Sequence, residues 1–450
     1  MANPLDKSSR QDFISKNINK PKEFFPPDAL IIFFIIMYLE EDIYNSRKIM
    51  NELLERNKQV IRKTAKKMGI IRHLPSFFVN IDNKDSPAKI IMNSLLNEFF
   101  NYCFEEYENS VYYDQPANSN IAINFNNFKE INNLNSYTFF VRKNWWENIS
   151  TTREHEVGIR MKNAFEENGI KLSLLEPKLE SISNINDTND NIAIVDMQTK
   201  IILSNEFEAN EFLSKIRKKF KYVIGIYLDE WRKEAQNIAL KYEKYIDANW
   251  MANPLLEDIY SVNKTKKVIL FPFPIGIKKN DVYNLVNNIK ENDIKFVGGI
   301  EQNNVSRVFW YYNIKNINIV NFDFSTHRNY NIAAYESYLS YLNRLSVSKN
   351  LLNFSQRMDG SRSITGRTFE ILLTNGLLIQ EYSPETSFYL EPNQHFIEFK
   401  NLNELVDIIN ALQKNPNEFE SIRKRANSFY NENYNDHKLV KFIEGVVNYN

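Results

Sequence analysis

Hydrophobic positions in the first part of the chain recur with the spacing of a helix. In residues 28–68 and again in residues 87–107, apolar side chains three and four positions apart line one face. Asp28 follows two prolines and is a suitable cap for the first of these helices. The pattern therefore predicts a helical N-terminal extension over residues 1–130, with a structural role such as covering a neighbouring domain or forming a dimer contact.

From about residue 135 the pattern changes to short apolar runs that alternate with helical stretches. Such alternation is typical of parallel α/β domains. The first series of predicted strands covers residues 137–141, 171–175, 192–195, 222–228, 245–250 and 268–271. The second series covers residues 295–297, 317–320, 351–354, 377–379 and 395–399.

Pro272, Pro274 and Gly276 lie between the two series and predict a connection between domains. The expected division is a first Rossmann-like domain over residues 131–275 and a second one, with C-terminal helices, over residues 276–450. The predicted fold class is therefore α/β, with two Rossmann-like domains facing a cleft after the helical extension. In such folds ligands bind at the carboxyl ends of the parallel strands.

Composition narrows the class of protein. The 450 residues contain 56 Lys and Arg and 56 Asp and Glu, and this zero net charge argues against broad nucleic-acid binding. Cys103 is the only cysteine, which excludes an internal disulfide and a thiolate zinc cluster. The apolar run over residues 29–39 is too short for a membrane span, although peripheral contact stays open. No signal-peptide pattern is recognised at the N-terminus, so a cytoplasmic location is expected.

Residues 362–381 combine a loop, a helix, a turn and a buried strand. Gly366 and Arg367 open the helix, and Asn375 and Gly376 end it. A helix N-terminus with a guanidinium group attracts an anion, because free N–H groups and positive charge converge there. The alternative interpretation is an ordinary α/β connection.

Several short motifs in this half of the chain occur in an order known from one family. They are Phe296-Val297-Gly298-Gly299, Gly366-Arg367-Thr368-Phe369-Glu370, Asn375-Gly376-Leu377-Leu378-Ile379 and the acidic Glu381. With them, residues from about 220 to 435 resemble the GT-B glycosyltransferases, most closely the spore-maturation (CgeB-like) branch. The resemblance implies transfer of a sugar from a nucleoside diphosphate to a glycan, lipid-linked or protein acceptor, without a metal or other cofactor. A sugar-nucleotide epimerase and a catalytically silent module that binds glycan or a partner protein are the alternatives.

The resemblance places the nucleotide-sugar donor in the second domain. The residues expected to bind it are Gly298, Gly299, Arg307, Gly366, Arg367, Thr368, Glu370 and Glu381. Arg307 and Arg367 would balance the diphosphate, and Glu370 would accept the ribose hydroxyls. The alternative for Arg367 and Glu370 is an exposed ion pair on the helix surface.

One position departs from the family pattern. Retaining members of the fold often have an acidic residue eight positions before the helix glutamate, and this chain has Arg362 there. Asp359 and Glu381 are nearby carboxylates without the expected spacing. Whether the configuration of the sugar is retained or inverted therefore stays open.

An inverting reaction would need a general base from the first domain. Asp229, at the end of a predicted strand, is the first candidate and His155 the second. A helix cap for Asp229 and a solvated helix start for His155 are the alternatives. Trp145 and Trp146 are candidates for stacking on an acceptor sugar, with core packing as the alternative. The remaining histidines lack the spacing of metal ligands, and the N-terminal extension is a further candidate for acceptor binding.

Overall fold

The computed structural model describes residues 15–16, 136–141, 157–183, 185, 191–227, 233–252, 267–298, 305–315, 317–323, 334–355 and 364–448. The predicted helices over residues 28–68 and 87–107 thus lie outside the described residues, and of residues 1–130 only Ser15 and Lys16 are described, as helical. The chain divides into two compact units. The smaller one combines Met1–Val111, Ile300–Lys315 and Gln356–Ser361, and the larger one combines Tyr112–Gly299, Asn316–Ser355 and Arg362–Asn450.

The described strands form two sheets, and both belong to the larger unit. In chain order they are β1 Ser136–Phe140, β2 Leu172–Leu175, β3 Asn191–Asp196, β4 Tyr222–Ile226, β5 Ala248–Met251, β6 Lys267–Leu270, β7 Glu291–Val297, β8 Val320–Asp323, β9 Ser348–Asn353, β10 Leu377–Glu381 and β11 Ile397–Phe399. The first sheet has the order β2-β1-β3-β4-β5-β6 and the second β11-β10-β9-β7-β8. Every strand pair in both sheets is parallel.

Helices alternate with these strands along the chain. They are α1 Val157–Glu166, α2 Leu179–Ser183, α3 Lys200–Ser204, α4 Glu206–Lys219, α5 Lys233–Lys241, α6 Lys279–Asn287, α7 Val305–Ile314, α8 Ala334–Ser346, α9 Gly366–Leu373, α10 Pro384–Tyr389, α11 Leu402–Lys414, α12 Glu420–Asn433 and α13 Asp436–Asn448. Two parallel sheets with connecting helices confirm the predicted α/β class with two Rossmann-like domains. Helix α7 belongs to the smaller unit.

Polar caps fix several of these helices. The Asn401 side chain caps α11 by accepting a hydrogen bond from the Glu404 backbone at 3.0 Å. Asn205 caps α4 in the same way by accepting from the Phe207 backbone at 3.0 Å. Within the described part of the chain, no helix has the length and apolar character that crossing a membrane requires.

The first sheet is buried on both faces. On β3, Ile192 and Ile194 point into an apolar core that includes residues of α1 and α13. Ala193 and Val195 point the other way, into a core that includes residues of α4. This alternation follows from the two-residue period of a strand, and it explains why the strand sequence is apolar at consecutive positions.

The last helix, α13, packs against the first sheet although it follows the strands of the second. Its Leu439 and Ile443 are part of the first sheet's core. At its start, the Asp436 carboxylate accepts hydrogen bonds from the backbone of Ile275 at 2.9 Å and of Gly276 at 2.8 Å. Burial raises the pKa of Asp436, and these two N–H groups oppose the increase. The chain end is thus tied to the segment between the sheets, and the predicted domain bounds stay predictions.

Arg160 on α1 contacts the same connecting segment. Its Nε and Nη2 atoms donate to the Pro274 carbonyl at 2.9 and 2.6 Å. Its guanidinium carbon lies 4.4 Å from the centre of the Tyr338 ring on α8. Gly276 has a φ of +64°, and a Cβ atom there would lie 2.1 Å from the Arg160 carbonyl oxygen, so this close approach requires glycine.

Two predicted strands were partly wrong. The run over residues 317–320 is a turn at its start, where the Val320 backbone donates to the Ile317 carbonyl at 2.9 Å, and β8 begins only at Val320. The run over residues 245–250 begins in a 3-10 turn, Glu243–Tyr245, and β5 begins at Ala248. In both cases apolar residues in a turn resemble the first residues of the strand that follows.

Candidate functional site

The N-terminus of α9 lies at the carboxyl edge of the second sheet. Thr365 occupies the cap position without a side-chain cap bond, and every residue from Arg367 to Leu373 is buried. The helix ends as predicted at Asn375, whose φ is 55°, and the chain enters β10 directly afterwards. Because β10 pairs with β9 in parallel, the helix start is held beside the ends of these strands.

Arg367 is a buried cation whose described partners are all neutral. Its Nε atom donates to the Tyr341 hydroxyl at 3.4 Å and its Nη1 atom to the Asn353 side-chain oxygen at 3.2 Å. Its guanidinium carbon lies 4.7 Å from the centre of the Phe296 ring. Arg367 is only 5% exposed. Burying a charge is costly unless an opposite charge or strong hydrogen bonds offset the lost water, so this position favours an anion.

Gly298 provides the space for this arginine. Its φ is +154°, and a Cβ atom would lie 2.4 Å from Nη2 of Arg367 and 3.4 Å from the Phe296 ring. A side chain at this position would displace the guanidinium group. The predicted glycine turn after β7 and the predicted arginine therefore meet in space, although about 70 residues separate them in the sequence.

Glu370 is fully buried and held by two tyrosines of α8. Its Oε1 accepts from the Tyr338 hydroxyl at 2.7 Å and its Oε2 from the Tyr341 hydroxyl at 3.1 Å. The two tyrosine rings are stacked with centres 6.2 Å apart. The alternative of an exposed ion pair between Arg367 and Glu370 is wrong, because both side chains are buried and Arg367 donates to Tyr341 and Asn353.

A polar network joins the strand ends to the start of α9. The Asn353 side-chain nitrogen lies 2.8 Å from the Gln380 side-chain oxygen and 3.1 Å from the hydroxyls of both Thr365 and Thr368. Thr368, predicted to bind the donor, thus contacts Asn353. Asn353 and Gln380 themselves were not predicted, and the only signal was a polar residue inside an apolar strand.

Glu381 closes the same edge of the sheet. Its Oε2 accepts a hydrogen bond from the Ser355 backbone at 2.8 Å, and its carbonyl accepts from the Gln380 side chain at 2.7 Å. Glu381 is 2% exposed. These contacts fix the ends of β9 and β10 relative to each other.

Of the predicted site residues outside this cluster, Arg307 is described, and it lies on α7 in the smaller unit. The remaining candidates, Asp229, His155, Gly299, Trp145 and Trp146, lie outside the described residues, as do Asp359 and Arg362. Among the residues with a described placement, no group of three or more His, Cys, Asp or Glu side chains is arranged to hold a metal ion.

The second sheet and its site lie in a stretch with a recognisable family. Residues 284–444 match the family described as glycosyl transferase-like. This match confirms the predicted resemblance to glycosyltransferases for that part of the chain. The narrower CgeB-like branch stays a prediction. No protein with a curated description matches the chain significantly.

Several solved structures are distantly similar. Anabaena HepE in complex with UDP and glucose has a TM-score of 0.45 and 9% identity, over 70% of this chain and 100% of that one. A glycosyltransferase from Rickettsia africae has a TM-score of 0.42 and 10% identity, over 70% and 98%. Sucrose-phosphate synthase from Thermosynechococcus elongatus has a TM-score of 0.41 and 10% identity, over 69% and 97%. Similarity at this level assigns no residue and no substrate to the present chain.

Proposed function

We propose that this protein is a glycosyltransferase that moves a sugar, of hexose type, from a nucleoside-diphosphate sugar to a glycan, lipid-linked or protein acceptor without a metal. The observation that carries the proposal is the position of Arg367. This buried cation with neutral partners lies within the stretch that matches the glycosyl transferase-like family, at the carboxyl edge of a parallel sheet.

A diphosphate suits this position for electrostatic reasons. Its negative charge would offset the buried guanidinium group of Arg367, and the free N–H groups at the start of α9 add donors. Without a metal, positive charge must come from the protein. Arg307, Gly299 and the α9 residues Gly366 and Thr368 complete the proposed donor site.

Glu370 takes a narrower role in this proposal. Because both carboxylate oxygens already accept tyrosine hydroxyls, ribose hydroxyls must share the carboxylate with Tyr338 and Tyr341. The two tyrosines fix its orientation, and Tyr341 also holds Arg367. Glu381, with Oε2 bonded to the Ser355 backbone, supports the strand ends next to the donor.

The chemical step is assigned to the first domain. We propose Asp229 as the general base, with His155 as the second candidate, and Trp145 and Trp146 as the acceptor platform. The protein would act in the cytoplasm, with homodimers as an expected assembly.

The direct test is calorimetry with UDP, GDP and their sugar conjugates, with and without EDTA. Wild type should bind one nucleotide equally well in both conditions. Arg367→Met should lower that affinity by about tenfold or more, since it removes charge-assisted hydrogen bonds. The control is Arg425→Met, because Arg425 is exposed and contacts only backbone carbonyls in the described structure.

Three outcomes would count against the proposal. If wild type binds no nucleotide, the function is wrong. If Arg367→Met binds as tightly as wild type, the site is wrong. If EDTA abolishes binding or turnover, metal independence is wrong. Turnover of the sugar nucleotide to an epimer without acceptor would instead favour the epimerase.

A further inference from the structure

Two buried hydroxyl groups after β10 have no hydrogen-bond partner among the described residues. They are Ser383 Oγ and Thr386 Oγ1, and both residues are 0% exposed. Most buried polar groups in proteins are paired, because an unpaired one loses its water without compensation. Two such groups three residues apart therefore need an explanation.

Helix capping does not explain them. Ser383 precedes α10 at the cap position with φ −155°, yet its side chain makes no cap bond. The turn is closed by main-chain atoms, since the Thr386 backbone donates to the Ser383 carbonyl at 3.0 Å. The hydroxyls contribute nothing to the local structure that main-chain groups do not already provide.

The two residues lie at the same sheet edge as Arg367. The Ser355 hydroxyl donates to the carbonyls of Glu381 at 3.3 Å or Tyr382 at 3.4 Å, so the segment entering α10 lies against the end of β9. The last residue of β9 is Asn353, which accepts from Arg367 at 3.2 Å. The segment that carries Ser383 thus continues the edge on which we place the donor.

The same segment also contacts the first sheet. The Tyr389 hydroxyl donates to the Ala252 carbonyl, just after β5, at 2.6 Å. Phe388 packs against both the first sheet's second core and the core of the second sheet. The unpaired hydroxyls therefore lie in the segment that joins the carboxyl end of β10 to the carboxyl end of β5.

We propose that Ser383 and Thr386 bind hydroxyl groups of the sugar carried by the donor. The inference rests on the proposed function and adds the residues that recognise the transferred group. Each hydroxyl can donate one bond and accept two, which matches a neutral polyol. Glu385 between them is also buried, and its carboxylate disfavours a second phosphate at this position. Because both hydroxyls are enclosed, a sugar reaches them only when the segment that carries them moves.

Stability separates this role from a structural one. Removing a buried hydroxyl that has no partner leaves nothing unsatisfied, so Ser383→Ala and Thr386→Val should unfold at the same temperature as wild type or a higher one. A structural role requires the opposite result. A binding role requires that the folded, stable variant loses affinity for the sugar.

The experiment measures nucleotide and nucleotide-sugar binding by calorimetry, using UDP with UDP-glucose and GDP with GDP-mannose. The double variant S383A/T386V should bind the free nucleotide within about twofold of wild type, and bind the sugar conjugate about tenfold more weakly. The control is Ser387→Ala, on the same helix but exposed, and it should match wild type with every probe.

Each other result overturns the inference. If the double variant binds the sugar conjugate as tightly as wild type does, a contact with the donor sugar is excluded. This holds also if turnover falls, because Ser383 and Thr386 would then bind the acceptor. Equal loss for nucleotide and conjugate assigns the residues to the nucleotide. If wild type binds neither UDP nor GDP, the proposed function itself is refuted. If wild type binds a nucleotide and the double variant binds the sugar conjugate equally well, only this inference is refuted.

Discussion

At the scale of single residues, the site is organised by Arg367 and the neutral groups around it. Tyr341 is central, because its hydroxyl contacts both Arg367 Nε and Glu370 Oε2. The Tyr338 hydroxyl donates to Glu370 Oε1. Substituting each tyrosine in turn therefore distinguishes support of the Glu370 carboxylate from support of the Arg367 guanidinium group.

We expect Tyr341→Phe to weaken nucleotide binding about fivefold, because the guanidinium group loses one of its two described hydrogen bonds. Tyr338→Phe should stay within about twofold. Both should lower the unfolding free energy by about 1–2 kcal/mol, since each removes a hydrogen bond to the buried Glu370 carboxylate. Calorimetry and urea unfolding measure the two effects. Equal nucleotide affinity in the two variants would show that Tyr341 does not position Arg367.

Arg367 was predicted because a glycine and an arginine at a helix start form a local pattern, and Gly298 and Glu370 were predicted through the family resemblance. The sequence did not predict Tyr338 and Tyr341. They lie on α8, about 30 residues before Glu370, and an aromatic residue on a helix is usually core. Only the packing of α8 beside α9 shows that their hydroxyls, rather than only their rings, are used.

At the scale of secondary-structure elements, the opposite end of the second sheet is held by Lys290. Its ammonium group donates to the Ser346 carbonyl at the end of α8 and to the Thr374 carbonyl after α9, both at 2.7 Å. These carbonyls belong to the last turn of each helix, where no intrahelical donor remains. Lys290 thus fixes the ends of the two helices whose side chains form the site.

Burial lowers the pKa of Lys290 from 10.5 to about 8, with a smaller contribution from Arg423. Between these values the unfolded chain binds more protons than the folded one, so stability from this group rises with pH. We expect the unfolding free energy of wild type, relative to Lys290→Met, to increase by about 1–3 kcal/mol from pH 8 to pH 10.5. Neutral lysine keeps two N–H groups for the two carbonyls.

Urea unfolding at several pH values measures this difference. Lys171→Met is the control for removing a lysine from the surface, because Lys171 is exposed before β2. A difference between wild type and Lys290→Met that stays constant with pH, or that Lys171→Met reproduces, would contradict the prediction.

Strand runs were predictable because a buried parallel strand is a short apolar segment bounded by turns. Their exact starts were not, as β8 shows, because Ile317 and Ile319 are apolar and yet precede the strand. The order of the strands within each sheet was also not predictable from the pattern of apolar residues. In the second sheet β9 lies between β10 and β7, and that order depends on how helices cover the faces rather than on any local signal.

At the scale of the whole molecule, the two sheets are connected through residues around Gly276. The carboxylate of Asp436 holds the backbone of Ile275 and Gly276, and Arg160 contacts both Pro274 and Tyr338. Tyr338 in turn donates to Glu370. A series of direct contacts therefore runs from the connection between the sheets to the proposed donor site.

Gly276 is the position where this connection tolerates least change. An alanine Cβ would lie 2.1 Å from the Arg160 carbonyl oxygen and 2.3 Å from its Cα atom, and backbone atoms cannot rotate away. Gly169, at the end of the same helix α1, is the matched control, because its φ is +77° and a Cβ would meet nothing within 4 Å. Both substitutions impose a left-handed conformation on alanine, but only one adds a collision.

We therefore expect Gly169→Ala to lower the unfolding free energy by about 1 kcal/mol and Gly276→Ala by about 4 kcal/mol or more. Urea unfolding measures both values, and nucleotide binding of any folded Gly276→Ala protein reports on the site. Arg160 reaches the site only through Tyr338 and its bond to Glu370, so nucleotide affinity of a folded Gly276→Ala protein should stay within about twofold of wild type, as for Tyr338→Phe. Gly169→Ala should bind like wild type. Equal costs for the two glycines would mean that α1 and the connecting segment separate without loss.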